Sequence, residues 1–291
     1  MRVLILGADG MIGHKVAQAF IKNDFDLFLN SRSDSNFVQK IFPNATVYDF
    51  NLLNQNIEQL LRKCSPDFIV NAAGITIRRG AANNSDTRNM NSVLPYKIDS
   101  WCKENCKKQI LFSTDCVFSG DKGDYYDFEI PNASDSYGSS KGEGEINSKD
   151  TLTIRSSMIG REIRNKTELL EWVISNKNLK INGFDRAIYS GVTTLWMSNI
   201  LVEIIKIYPE LNGIYNISSK SISKFDLINK INYYFKLNID IVKDTSYSSN
   251  KSLNSSRFFS ETKFKKPDWD DMLLDMYLDS ENNKNLYNSN D

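Results

Sequence analysis

Histidine is almost missing from this chain: among 291 residues there is one, His14. A histidine-rich metal site or a histidine relay therefore has a single residue to draw on. Cysteine is sparse too, and Cys64, Cys102, Cys106 and Cys116 show no paired metal-ligand spacing. They read as reduced thiols, and no metal is expected. A net charge of one sign is also lacking, with 36 basic and 36 acidic side chains. That balance gives no electrostatic footprint for nucleic acid or an anionic membrane and leaves a small molecule as the expected partner. Long apolar runs are missing as well: the opening MRVLILGADG reaches its glycines too early for a signal peptide or a membrane span. A cytoplasmic location is the expectation.

What is present is an ordinary globular composition, 41% hydrophobic and 25% charged, on a chain long enough to bury a substantial core without cross-links. Short β-rich runs (RVLILG, DLFLNS, ATVYDF, DFIVNAAG, QILFSTD, LTIRSS) alternate with segments such as MIGHKVAQAFIKN, NQNIEQLLRKCS and LPYKIDSWCKEN, whose apolar residues recur at helical spacing. This βαβ rhythm predicts an α/β chain with a Rossmann-type doubly wound parallel sheet over residues 1–157. From 158 to 279 the strands thin out and the patterns ELLEWVISN, LWMSNILVEIIKIY, KFDLINKINYYF and DWDDMLLDMYL predict a smaller, mostly helical substrate lobe, with one strand returning to the sheet. The polar end, 280–291, is expected to be a flexible tail.

GADGMIG sets Gly7, Gly10 and Gly13 directly after the first strand and at the start of a helix, with Met11 and Ile12 in the same loop. Glycines there permit a tight turn and close backbone approach to a pyrophosphate, whose charge is met by the helix amides. His14, one residue further on, reads as packing or capping. Arg32, in LNSRSD at the end of the second strand, stands where a NAD-preferring site carries an acid. NADPH is therefore the expected cofactor, with NADH as the alternative. Asp49 and Phe50 close the third strand and are expected to edge the adenine. Ala72, Ala73 and Gly74 close the fourth and let a cofactor lie against backbone.

FSTDCVFSG follows the fifth strand, so Ser113 and Thr114 fall at the carboxyl edge of the sheet, where ligands bind in such folds. SDSYGSSKGEGE comes next and is a poor helix, because Gly138, Gly142 and Gly144 each cost about 1 kcal/mol relative to alanine. If it is helical, Tyr137 and Lys141 share one face, a turn apart. Tyr137 is then the general acid, Lys141 the cation that lowers its pKa, and Thr114 the hydroxyl that holds a carbonyl oxygen.

These motifs, together with SPDFIVNAAG, NMNSVLP, STDCVFSGDKGDYYD, GIYNISS, SISKFDL and SLNSSRF, make the chain resemble an extended short-chain dehydrogenase/reductase. Within that group it is most similar to dTDP-4-dehydrorhamnose reductases and related nucleotide-sugar 4-ketoreductases. The resemblance implies that NAD(P)H gives hydride to the C4 ketone of a nucleotide-linked 6-deoxy sugar, for surface polysaccharide sugars, while Tyr137 protonates the oxygen. It also implies that Lys141 binds the nicotinamide ribose and that Asn91 lies near the cofactor. Ser113, Asp115, Cys116, Arg257 and the residues around Gly191 and Thr194 would lie near the nucleotide sugar. A homodimer is compatible with the resemblance.

Cys116 departs from it, standing where rhamnose reductases usually carry a tyrosine. The run Thr114, Asp115, Cys116 also lacks the glutamate that 4,6-dehydratases use in water elimination. GDP-fucose synthases, however, place an epimerising cysteine at the offset that Cys116 has from Thr114, so a bifunctional epimerase/reductase is one alternative. Those enzymes pair the cysteine with a histidine acid, and His14 belongs to the glycine-loop helix. A non-catalytic nucleotide-binding regulatory subunit, as in the β subunit of methionine adenosyltransferase, is the other. The intact Thr114, Tyr137 and Lys141 set argues against it.

Overall fold

A strand buried on both faces needs apolar side chains at successive positions, and RVLIL supplies them: β1 (Arg2–Leu6) lies inside the sheet. The structure is a computed structural model and describes residues 1–32, 34–76 and 84–288. β1 pairs with β2 (Asp26–Ser31) on one side, and β3 (Thr46–Asp49) lies outside β2. On the other side come β4 (Phe68–Asn71), β5 (Lys108–Phe112) and β6 (Thr151–Arg155). All these pairs are parallel, as the βαβ rhythm requires. The far edge comes from deep in the second half, where β10 (Gly213–Asn216) pairs with β6 and completes a seven-stranded sheet.

Both faces of the sheet are covered. On one, Val3, Ile5, Leu29 and Val70 pack with Val16 and Phe20 of α1 (Gly13–Ile21) and with Leu201 and Ile205. On the other, Leu4, Leu6 and Ile69 pack with residues of α3 (Ile57–Cys64) and α5 (Leu94–Asn105). The helix α2 (Ser35–Ile41) follows β2, capped by Asp34, whose carboxylate accepts from the Phe37 N–H. Between α4 (Asn84–Arg88) and α5 the chain makes a π-helical turn, Asn89–Val93, a geometry that often marks functional sites. The glycine-rich segment is indeed a helix, α6 (Ser136–Glu143), started by the carboxylate of Asp135, which accepts from the N–H groups of Tyr137 and Gly138.

The second half supplies α7 (Leu169–Ser175), α8 (Thr194–Ile207), α9 (Lys224–Phe235), α10 (Ser256–Glu261) and α11 (Trp269–Asn282). It is helical as expected, and it also carries strands that the sequence hid. β7 (Met158–Ile159) pairs with β9 (Val192–Thr193), and a three-stranded sheet runs β11 (Ile222–Ser223), β8 (Lys180–Tyr189), β12 (Asp240–Asn250). β12 reads DIVKDTSYSSN and is exposed along most of its length, so no apolar alternation announces it. The tail also needs correcting. Residues 280–282 complete α11, and α12 (Lys284–Tyr287) buries the Tyr287 ring, which is 1% exposed. Residues 289–291 of the expected tail lie outside the described residues. Among the described residues no helix is long and apolar enough to cross a membrane.

Candidate active site

The glycine loop forms one wall of a cleft of about 560 Å³ lined by Gly7, Gly10, Arg32, Ala72, Ala73 and Gly74, among others. Gly7 holds φ +75, which only glycine adopts cheaply, and a Cβ on Gly13 would strike the carbonyl of Gly7. The glycines let the loop turn tightly against the backbone of β4's end and against the α1 N-terminus, beside the open cleft, so the residues present fit a dinucleotide. His14 is no part of this surface. Its Nδ1 lies 2.9 Å from the Gly10 oxygen and its Nε2 3.2 Å from the Tyr287 hydroxyl. Burial lowers its pKa to about 3, so the ring is neutral and structural, the packing role expected of it.

An adjoining cavity of about 330 Å³ brings together the three residues expected to be catalytic. Thr114, Tyr137 and Lys141 line it with Gly10, Met11, Ile12, Ala72, Ala73 and Gly74. Lys141 Nζ donates to the Phe112 carbonyl at 2.5 Å, which ties α6 to the end of β5. Burial lowers the Lys141 pKa to about 8, against the pull of Glu145. The half-buried Tyr137 departs from expectation. Its pKa is raised, first by desolvation and then by Cys116, with Asp115 and Glu168 adding to it and hydrogen bonding to Thr114 working the other way. Lys141 does not reverse this because its ammonium is directed at the Phe112 carbonyl. The phenol thus holds its proton firmly. Thr114 Oγ1 accepts from the Cys116 N–H and donates to Asp115, both at 3.1 Å, so the hydroxyl is fixed in place.

Close approach explains the glycines of α6. A Cβ on Gly138 would collide with the Cys116 carbonyl, and one on Gly144, just past the helix, with the Asn91 carbonyl. The helix is pressed against the loop after β5 on one side and the π turn on the other. Asn91 completes the clamp. Its Oδ1 accepts from the Ile75 N–H at 2.9 Å, and its Nδ2 donates to the Ile75 carbonyl at 3.0 Å and to Ser140 Oγ at 3.1 Å. It therefore positions the backbone after β4 and the catalytic helix together.

Several residues expected at the site are placed elsewhere. Asp49 is exposed and Phe50 packs in the core beneath α3; the cleft is lined instead by Leu52 and Leu53. Ser113 reaches the catalytic cavity, but its hydroxyl donates to Glu145, which is held by Arg155 in a buried bidentate pair at 2.8 and 2.7 Å. Asp115 is buried and serves Thr114 without lining the cavity. Arg257 lies on the outer edge of the sheet, stacked over Tyr215 and bonded to Glu261 and the Ile214 carbonyl. Gly191 and Thr194 pack internally, against Tyr189 and Gly160.

Cys116 does line the cavity, but burial and then Asp115 push its thiol up to about 12. The sequence reading missed Thr76, Ser157, Met158 and Glu168, which also line it, and Arg164, which reaches the dinucleotide cleft. Their only signal was position after a strand end. Through Met11, Ser157, Met158 and Glu168 the catalytic cavity opens into a further one of about 430 Å³, walled by Trp172, Asn182, Phe184, Tyr189 and Lys224.

Hydroxyl, phenol and ammonium meeting a glycine-cradled dinucleotide cleft on a parallel sheet is the arrangement that defines the extended short-chain dehydrogenase/reductases. Within that class the chain belongs to the RmlD substrate binding domain family, whose sequence profile matches residues 1–231. Solved structures agree on the fold. A hypothetical dTDP-4-dehydrorhamnose reductase from Sulfolobus tokodaii superposes with TM-score 0.77 at 24% identity, over 92% of this chain and 98% of that one. The dTDP-4-dehydrorhamnose reductase of Bacillus anthracis in complex with NADP gives 0.78 at 20%, over 96% and 99%. The Bordetella bronchiseptica enzyme WbmG in complex with NAD gives 0.79 at 14%, over 97% and 94%. No protein of curated function matches the chain in sequence.

Proposed function

We propose that the chain is an NADPH-preferring reductase of the C4 ketone of a nucleotide-linked 4-keto-6-deoxyhexose, similar to dTDP-4-dehydrorhamnose reductase and serving surface polysaccharide sugars. The observation that carries this reading is the convergence of Thr114, Tyr137 and Lys141 on one cavity with the glycine loop. Gly7, Gly10 and Gly13 would hold the dinucleotide pyrophosphate, with Arg32 at its ribose end. Bound there, NADPH supplies the hydride. Thr114 orients the ketone oxygen, and Tyr137, which keeps its proton at neutral pH, delivers it to that oxygen as charge develops. Lys141 holds α6 against β5 through the Phe112 carbonyl and, below its pKa of about 8, would be the cation that binds the nicotinamide ribose. The sugar would occupy the catalytic cavity and the nucleotide the adjoining one, where Trp172 and Phe184 offer rings and Lys224 a cation. The exposed Cys106, unpaired like the other three cysteines, suits the reducing cytoplasm, and a homodimer is part of the same proposal.

An epimerase role for Cys116 is not favoured, since a thiol held near 12 yields little thiolate at pH 7. The test is a panel of dTDP-, UDP- and GDP-linked 4-keto-6-deoxyhexoses with NADPH, read by loss of NADPH absorbance and by NMR of the product. One panel member should be reduced at C4. Tight NADPH binding with no oxidation by any of them would instead point to the regulatory-subunit reading.

A further inference from the structure

One wall of the dinucleotide cleft belongs neither to the glycine loop nor to a strand of the sheet. Arg164 and Asn165, in the loop between β7 and α7, line the cleft together with Arg32. The loop is held in an unusual conformation to do so, with Asn165 at φ 63 and Lys166 at φ 48. The Arg164 guanidinium lies over the Phe37 ring, 4.4 Å from the centroid, a cation–π contact that anchors the side chain. One end of the fork meets Asp34 at 3.2 Å. Nε lies 3.8 Å from Asp9, too far for a hydrogen bond, and is a buried donor with no partner. Asp9 in turn accepts from Ser31, the last residue of β2, at 3.4 Å. Arg32 follows directly. Two arginines from distant parts of the chain therefore share the end of the cleft where the 2′ substituent of the adenosine ribose lies in such folds.

We infer that Arg164 is a second cofactor-selecting residue, which exchanges its pairing with Asp34 and Asp9 for a phosphate on the ribose 2′ oxygen. The inference rests on the dinucleotide-dependent reading above. A planar guanidinium matches a phosphate bidentately, and its partnerless Nε–H gains an acceptor in the exchange. Asp34 is a half-exposed placeholder, weaker than a dianionic phosphate as a partner. A cofactor without the phosphate leaves the Asp34 pair intact and gains nothing from Arg164.

Calorimetry of the full chain with 2′,5′-ADP and with 5′-AMP separates the phosphate from the rest of the nucleotide. Arg164→Ala should weaken 2′,5′-ADP by about tenfold or more and change 5′-AMP by less than about twofold. Asp34→Asn keeps the cap on α2 and should move 2′,5′-ADP the other way, to tighter binding. Equal losses for the two nucleotides in Arg164→Ala, or no loss for either, would overturn the inference, as would unchanged binding in Asp34→Asn. If the unsubstituted chain binds neither nucleotide, the dinucleotide reading and this inference fall together. If it binds and oxidises NADPH but Arg164→Ala leaves the ratio of the two affinities unchanged, this inference falls alone.

Discussion

Tyr137 and Lys141 show how far a residue pair can be read and where the reading stops. Their spacing and the helix were legible in YGSSK because an i,i+4 separation holds wherever a helix forms. The electrostatics were not, because desolvation depends on neighbours from other elements. Cys116 and Glu168 raise the phenol pKa, and the Phe112 carbonyl takes the ammonium. Tyr137→Phe should lower kcat by about 10²–10⁴ while the NADPH dissociation constant stays within about twofold. Lys141 gives a pH signature. Its ammonium is present below about 8 and lost above, so kcat/KM, which reports the free enzyme, should fall as pH rises through that value. A profile flat to pH 10 would show that the ammonium is not needed. Cys116→Ala should leave reduction within about threefold, since its thiol is not ionised at neutral pH.

At the scale of the element, α6 reverses the sign that propensity assigns to its glycines. In an exposed helix Gly→Ala gains about 1 kcal/mol. In α6 a Cβ on Gly138 meets backbone, which cannot swing away as a long side chain can. Gly138→Ala should therefore destabilise by about 1–3 kcal/mol, read as a lower Tm, and should lower kcat by shifting Tyr137 away from Thr114. A stabilised, fully active Gly138→Ala would show that the helix does not need its close approach. The glycines were visible in the sequence as an anomaly. What they touch, the carbonyls of Cys116 and Asn91, was not, because those contacts join segments distant along the chain.

Across the whole molecule, the first half was legible because parallel strands buried on both faces are written as apolar runs. The second half was less so. β8 carries Gly183 at its middle, where a Cβ would meet Phe225, and β12 is polar because its surroundings are solvent. The terminal SENNKNLYNSND lacks periodicity, yet a single aromatic ring docks its described part, residues 280–288. Tyr287 packs edge-on against His14 with centroids 5.9 Å apart, and Arg161 lies over it at 4.6 Å. That contact should be felt in stability. The unfolded chain takes up a proton on His14 near 6.5, while the folded one refuses it until about 3. Stability should therefore fall as pH drops across that window, and His14→Gln should flatten the corresponding part of a denaturation series. An unchanged slope would mean that His14 is not held neutral by burial.

The edge strand β10 sets a schedule for synthesis. β6 ends at Arg155, but its outer neighbour begins at Gly213. A ribosome adding about 5–20 residues per second leaves the rim of β6 bare for several seconds. During that interval the nascent sheet offers unpaired backbone to any passing strand, so the risk of misassembly is concentrated before residue 216 emerges.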